Sequence, residues 1–283
     1  MSIIHIRNIQ NMKNNHLFAF LKYPIYARPL SLVEKLAITL KFLPIRCNIC
    51  GSFTLIYFTN ENFRENGYCR NCQSFNRQRQ LAYVLCNSGA TKPFNTLNKY
   101  INESNLSLYN TETGGILHYF LSTMKNYVCS EYFGEKYASG DLVNNKMHQD
   151  LMSLSFEDNR FDIVISTDVF EHISDPYRAH QEIYRVLKLG GRHVFTVPFY
   201  QTDFLDEERA SINNENKLVF HKEAIYHIDP LRNNGILVFN IFSIEMLSKL
   251  AKIGFRTNMY HLYSPINGIL GPNGIVFEAI KER

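Results

Sequence analysis

Between Leu154 and Phe199 the chain changes its hydrophobic spacing twice. "FDIVIST" and "RHVFTVPF" are short β-rich apolar runs, whereas Ala179, Ile183, Val186 and Leu187 between them recur at helical spacing and share one face. Asp175 is placed to cap that helix and Pro176 suits its first turn. Gly190 and Gly191 read as its stop. Strand, short acidic loop, helix, double glycine and strand make the crossover between two neighbouring parallel strands. The loop at the first strand's carboxyl end is where such folds hold ligands.

The same alternation extends along the chain. "LSLYN" and "NYVCSEYF" add two β-rich runs, so residues from 106 onward predict an α/β parallel sheet. "SIEMLSKLAKIG" predicts a last helix from Ser243 to Gly254, followed by strands in "FRTNMYHLY" and "GIVFEAIKE". Residues 267–274, rich in Gly, Pro and Asn, turn the chain between these two strands and make them antiparallel. Near the start lie two apolar patches, "HLFAFLKYPIYA" and "SLVEKLAITLKFLP". In the second, Leu32, Leu36 and Leu40 fall four apart, which predicts a short amphipathic helix beginning near Ser31 and stopped before Pro44. Only Lys35 and Lys41 supply positive charge, so packing on the protein's own core is favoured over a membrane surface.

Composition narrows the class. A chain of 283 residues, 45% hydrophobic and 20% charged, can bury one large domain and a small appendage. Its net charge of +4 gives no strong electrostatic footprint for nucleic acid. No apolar run approaches the roughly 20 residues of a membrane span, and "LFAFL" is too short for a signal-peptide core. The expected location is cytoplasmic. Six cysteines without an export signal favour metal binding or free thiols over disulfides.

Cys47, Cys50, Cys69 and Cys72 form two C-x-x-C pairs separated by eighteen residues. Each pair can turn two thiolates towards one ion, and four thiolates suit tetrahedral Zn²⁺. A closed four-sulfur set leaves no open coordination position, so the expected role is structural. A redox dithiol, two unrelated reduced pairs and an iron site are the competing readings. Cys86 and Cys129 lie outside the pattern and read as small buried apolar residues. After the knuckle, Arg77 and Arg79 at a predicted helix start either engage an anionic substrate or nucleic-acid phosphate, or form a solvated or acid-paired surface.

The segment from Gln149 to Phe199 resembles the central half of class I S-adenosylmethionine-dependent methyltransferases of the type 11 group. The resemblance is carried by the acidic residue in "QDLM", the L-x-F-x-D-x-x-F-D approach, the E-H that follows, and R-V-L-K-x-G-G before the next strand. It covers residues 104 to 283, and a narrower likeness is to bacterial methyltransferases with a zinc knuckle ahead of the catalytic domain. It implies a Rossmann-like, seven-stranded, mostly parallel sheet with the last strand antiparallel. With the apolar patches and cysteine pairs ahead of it, the chain is expected to divide into an N-terminal helical extension at 1–45, a knuckle at 46–76, a linking helix region at 77–103 and a methyltransferase domain at 104–283 with an acceptor lid near 200–240.

The cofactor so implied has its own chemical needs. A ribose diol wants a carboxylate at the second strand's end, where Glu131 stands, and adenine's amine wants an acceptor such as Asp150, with Leu151 covering the ring. Close backbone approach wants the small residues of "NTETGG", where Glu112, Gly114 and Gly115 lie and Gly115 precedes Glu131 by sixteen residues. The family commonly has three glycines in an acidic G-x-G-x-G arrangement; this chain has only the Gly114–Gly115 pair there. Tyr132, Thr167 and Asp168 complete the implied cofactor set.

Methyl transfer from a sulfonium is an in-line displacement in which the protein aligns the acceptor and can remove a proton. Asp168, Glu171 and His172 follow the fourth strand, with His172 either a general base or, with Glu171, a fixing element of the loop. The long segment from Tyr200 to Asn240 has no obvious regular pattern and reads as the lid. Within it His221, Tyr226, His227, Asp229 and Arg232 gather, and His227 with Asp229 can orient a base or grip sugar hydroxyls; a turn at Pro230 is the plainer reading. His193 reads as a core histidine. The leading function is methylation of a small-molecule or glycan hydroxyl or amine. The alternatives are RNA methylation through the knuckle, and a relic that binds cofactor or a partner without turnover.

Overall fold

The computed structural model describes residues 29–88, 94–200, 203–229 and 232–282. The patch "HLFAFLKYPIYA" lies outside the described residues. Helix α1 (Leu32–Leu40) is started by a capping box in which Ser31 and Glu34 satisfy each other's backbone N–H groups. It ends at Lys41, in the left-handed region, and Pro44 falls within the next strand. Its leucine stripe does not face the core. Leu32, Leu36 and Leu40 are exposed, and Glu34 and Ala37 are the buried positions. Glu34 is held there because its carboxylate also accepts the Gly271 N–H at 2.6 Å.

Strands β1 (Phe42–Arg46), β2 (Phe53–Tyr57) and β3 (Tyr68–Cys69) form a small antiparallel sheet. A 3-10 turn at Phe63–Glu65 lies between β2 and β3. Helices α2 (Asn76–Asn87) and α3 (Leu97–Glu103) lead into the main sheet. That sheet starts with β4 (Leu108–Asn110), helix α4 (Gly115–Leu121) and β5 (Tyr127–Cys129). A minor hairpin, β6 (Leu142–Val143) and β7 (Lys146–Met147), precedes β8 (Phe161–Thr167), helix α5 (Pro176–Val186) and β9 (Leu187–Thr196).

The next segment holds short antiparallel pairs instead of an irregular loop. β10 (Glu207–Glu208) pairs with β15 (Asn240–Ile241), β11 (Ala210–Ile212) with β12 (Leu218–Phe220), and β13 (Tyr226–Asp229) with β14 (Arg232–Leu237). Helix α6 (Ile244–Ile253), ended by Gly254 at φ 120°, then leads to β16 (Phe255–His261) and β17 (Ile275–Lys281).

Among the described residues the main sheet has six strands, ordered β16-β17-β9-β8-β4-β5. β5, β4, β8 and β9 are mutually parallel, and β17 runs antiparallel to both β9 and β16. The expected seventh strand is reduced to one parallel bridge, Glu131 with His148, because the chain there turns through β6 and β7. β8 is buried almost throughout, as a central parallel strand with both faces covered must be. Ile163 and Ile165 join one core, which includes Leu81 and Leu85 of α2 and also Ile45 and Ile56 of the small sheet. Val164 joins the other, with Ile183 of α5 and Leu250 of α6. The small sheet therefore shares its core with one face of the large one.

Gly190 and Gly191 are not the stop of α5, which ends at Val186 and passes straight into β9. They lie where the β8–β9 register shifts. A Cβ on Gly191 would sit 2.8 Å from the Lys188 carbonyl oxygen, so the double glycine permits a close backbone approach inside a bulge. His193 is a core residue: it is fully buried, with Nε2 2.9 Å from Ser166 Oγ. Burial holds His180 down to about 3 and His193 well below the usual imidazole value, so both are neutral beside Phe170 and Phe195.

Candidate functional site

The four cysteines come together through two equivalent turns. Cys47 N–H donates to Ser52 O and Gly51 N–H to Cys47 O, while Cys69 N–H donates to Ser74 O and Gln73 N–H to Cys69 O. Each turn needs positive φ at the residue after its second cysteine, 79° at Gly51 and 61° at Gln73. The result places Cys47 Sγ 3.8 Å from Cys72 Sγ and Cys50 Sγ 4.0 Å from Cys69 Sγ. All four sulfurs lie within 4.8 Å of one another, a donor set that fits one tetrahedral ion. Thiols of Cys69 and Cys72 that donate to Cys47 lower its pKa, while their own pKa values are raised in turn. Cys86 is buried, and Cys129, at the end of β5, is half-buried.

The second centre is the crevice where the sheet changes direction. From β4 the chain crosses to β5 on one side and to β8 on the other, so the carboxyl ends of β4 and β8 flank a topological switch point. From the loop after β4, Glu112 accepts a hydrogen bond from the hydroxyl of Thr167, the last residue of β8. Burial pushes the Glu112 carboxyl up to about 7. Thr113 donates to Glu131 at 3.0 Å through its hydroxyl, which ties that loop to the end of β5. Gly114 caps α4, and a Cβ there would meet nothing within 4 Å; Gly115 follows at φ 75°. A loop with open space above Gly114 and a carboxylate beside it fits the backbone approach and diol of a nucleoside. Further along, Asp150 caps the turn that follows it by accepting the Met152 N–H, Leu151 is buried, and Tyr132 lies against His148.

Asp168 closes β8 at φ 52°, in the left-handed region that aspartate tolerates. Its carboxylate is gripped by both terminal nitrogens of Arg64, each at 2.6 Å, and by the Thr196 hydroxyl at 2.9 Å. Arg77 stands 3.4 Å away and makes its own two bonds to Glu65, at 2.7 and 2.9 Å. Burial alone would raise the Asp168 carboxyl, but the Arg77 and Arg64 guanidiniums hold it well below the usual range. Arg79 is neither a docking nor a surface residue. It is fully buried, donating to the carbonyls of Ser74, Gly67 and Gly268. Arg64 carries no local sequence signal, because its partner lies 104 residues away.

Glu171 is fully buried in a 3-10 turn at Phe170–His172, directly after β8. Burial and the nearby Asp168 charge push its carboxyl well above the usual range. The turn is fastened to the insertion between β9 and α6, since Phe239 N–H donates to Glu171 O at 2.7 Å and Asn240 donates to Ile173 O at 3.0 Å. His172 Nδ1 lies 2.7 Å from Leu237 O. His227 of β13 comes beside it, with ring centroids 5.0 Å apart. His172 and His227 thus meet, although 55 residues separate them. His221 lies elsewhere, bonded to Ser211 at 2.7 Å. The side chains of Asp229 and Arg232 lie outside the described residues. A cavity of about 250 Å³ opens next to Arg64, lined also by Val197, Phe199, Tyr200 and Asn273.

Residues 113–195 match the family model described as Methyltransferase domain. Among solved structures, the chain is similar to an S-adenosylmethionine-dependent methyltransferase from Mesorhizobium loti, at 14% identity over 62% of this chain and 91% of that one, with a TM-score of 0.39. It is similar to a sugar N-methyltransferase from Streptoalloteichus sp. at 18% identity over 66% and 85%, TM-score 0.39. A 1,6-didemethyltoxoflavin-N1-methyltransferase from Burkholderia thailandensis matches at 14% identity over 63% and 72%, TM-score 0.36. No curated protein matches the chain. Residues 113–195 of the chain thus form a methyltransferase domain. No described helix is long and apolar enough to cross a membrane.

Proposed function

We propose that the protein transfers the methyl group of S-adenosylmethionine to a hydroxyl or amine of a small molecule or glycan. The observation that carries this reading is the convergence, at the switch point, of an open glycine turn with the carboxyl groups of Glu112, Glu131 and Asp168. In this reading Glu131 takes the ribose hydroxyls, Asp150 and Leu151 take the adenine, and Gly114 and Gly115 let the backbone approach the cofactor's methionine part. Tyr132 borders the nucleoside, and Glu112, Thr167 and Asp168 line the sulfonium end. When bound, the cofactor supplies the electrophilic methyl group. His172 and His227 handle the acceptor's proton. The cavity of about 250 Å³ falls just under the roughly 300–1,000 Å³ of drug-sized sites, which suits a small acceptor. The four-cysteine cluster takes structural zinc.

The second reading is a binding protein without turnover. It is favoured by the engagement of Glu112 with Thr167 and of Asp168 with Arg64. Docking of RNA through Arg77 and Arg79 has no such support, because both side chains are committed inside the protein. Calorimetric titration with S-adenosylmethionine separates the readings from the absence of any site. Saturable binding is expected in the native chain. A hydrogen bond to a charged group is worth roughly 1.5–3 kcal/mol, so Glu131→Ala should weaken binding about 10- to 100-fold. Gly114→Ala should also weaken it while leaving the fold intact, since its Cβ meets no protein atom. No heat from a folded protein would end the methyltransferase reading of this crevice, and binding without methylation across sugars and amines would favour the second.

A further inference from the structure

The Glu171 carboxylate poses a problem that methyl transfer does not solve. It is fully buried, and neither of its oxygens has a hydrogen-bond partner among the described residues. Leaving such a group unmatched is costly, and native proteins do so where something else is meant to bind. Two imidazole nitrogens point at it: His172 Nε2 and His227 Nδ1 each lie 3.8 Å from the same oxygen, Oε1. The three ligand atoms all fall within 4.8 Å of one another.

We propose that Glu171, His172 and His227 form a second metal site, distinct from the cysteine cluster, that takes one divalent first-row cation such as Zn²⁺ or Fe²⁺. Metal–ligand bonds of about 2.0–2.2 Å place neighbouring ligands of a tetrahedral ion about 3.4 Å apart, so the two N···O spacings of 3.8 Å need to contract by only a few tenths of an ångström, and the two nitrogens already lie within 4.8 Å of each other. The tautomer is already set for His172. Its Nδ1 donates to the Leu237 carbonyl at 2.7 Å, which leaves the Nε2 lone pair on the Glu171 side, the arrangement that ligating histidines commonly have. Two nitrogens and one carboxylate suit a borderline cation better than Mg²⁺ or Ca²⁺, which prefer all-oxygen sets.

Three protein ligands leave at least one position for water or an acceptor oxygen. The ligands come from both sides of the crevice mouth, Glu171 and His172 from the turn after β8 and His227 from β13 of the insertion. A cation there clamps the insertion onto the sheet. If the methyltransferase reading above holds, on which this one point rests, the cation also lowers the pKa of an acceptor hydroxyl bound to it, whose proton passes to solvent water, and the oxygen then takes the methyl group as its bond to the cofactor sulfur breaks and leaves a neutral thioether. It then replaces His172 as the agent that makes the oxygen nucleophilic, because a ligated Nε2 has no lone pair left for a proton.

The test is an equilibrium titration of the metal-stripped full chain with Co²⁺, followed by absorbance. The cysteine cluster gives strong near-ultraviolet thiolate-to-metal bands. The proposed site should add a second equivalent with visible bands but no thiolate bands. His227→Ala, a change at a partly exposed insertion residue, and the near-isosteric Glu171→Gln should each weaken the second equivalent by at least ~100-fold without touching the first, since even outer partners of a ligand are worth 10–100-fold. A native chain that takes up a single equivalent overturns the proposal. So does a second equivalent that survives both substitutions at native affinity. Cofactor binding is measured separately, so a chain that takes the second cation but no S-adenosylmethionine retains this site while losing the methyltransferase reading.

Discussion

Replacing Arg64 with Met would leave Asp168 behind with much of its compensation gone. Both side chains are more than four-fifths buried, at 19% and 17% exposure, so solvent screening takes away little of the interaction. The change removes two charge-assisted hydrogen bonds of 2.6 Å; Thr196 and the Arg77 charge 3.4 Å away remain. Two such bonds at roughly 1.5–3 kcal/mol each bound the loss at about 3–6 kcal/mol. The remaining Arg77 should reduce this to about 2–4 kcal/mol, close to the 3–5 typical of breaking a buried pair from one side. The pH dependence follows from the depressed Asp168 carboxyl. An acid with its folded pKa below its unfolded value, about 3.9, contributes stability that is present above that unfolded value and lost as pH falls through the folded one. The native chain should therefore keep this contribution at pH 5, and the gap between native and Arg64→Met should narrow only below about pH 4. Urea unfolding followed by circular dichroism at pH 7 and pH 5 measures both. A difference under about 1 kcal/mol at pH 7 would show that the ion pair only balances its own desolvation, and the reasoning would fail.

Two further outcomes are expected. Glu112→Gln should stabilise the protein at high pH. The native carboxyl titrates near 7 against a reference of 4.5, so folded protein binds the extra proton between those values, and native stability falls by up to about 3 kcal/mol as pH rises through them. The variant should match the native chain at pH 4.5 and exceed it at pH 8 in parallel urea titrations; equal slopes across that range would refute the assignment. Removing the metal expected at the cysteine cluster, or substituting Cys69→Ser, should lower the melting temperature by more than about 5 °C and weaken S-adenosylmethionine binding, measured by scanning calorimetry and titration. An unchanged melting temperature after verified loss of the metal would deny the cluster its structural role.

What the sequence revealed about this fold was local. The cysteine pairs have a fixed short spacing, and α5 and α6 carry their caps, Asp175 and Gly254, within their own segments. The alternation of apolar runs was enough to order β8, β9, β16 and β17. Signals that depend on partners far along the chain were silent or misleading. The leucines of α1 have perfect helical spacing but point outward, because Glu34 is drawn inward by a backbone N–H 237 residues away. Gly190 and Gly191 look like a helix stop, yet serve a strand bulge in which Gly191 lies against the Lys188 carbonyl of β9 and the Phe161 and Asp162 carbonyls of β8. The insertion's hairpins are only two to six residues per strand, too short to show periodicity. Arg77 and Arg79 look alike in sequence and have unrelated roles, one in an ion network and the other in a web of carbonyls.

These long-range contacts explain why a chain of this kind carries its knuckle at all. The turn that bears Arg64 and Glu65 follows β2 and precedes Cys69, so its position is set by the small sheet that the cysteine turns close. From that turn Arg64 reaches Asp168, and from the start of α2 Arg77 braces Glu65 while Asn76 and Arg79 grip the carbonyls of Leu270 and Gly268. The side chain that follows β8, at the edge of the crevice, is thus oriented from the knuckle as well as by Thr196 of the sheet that carries it. A left-handed aspartate on a loop would otherwise be free to swing towards water, and a site aligned for displacement tolerates little such motion. The four-cysteine cluster, whose turns close the small sheet, therefore bears on the crevice by fixing where two guanidinium groups stand.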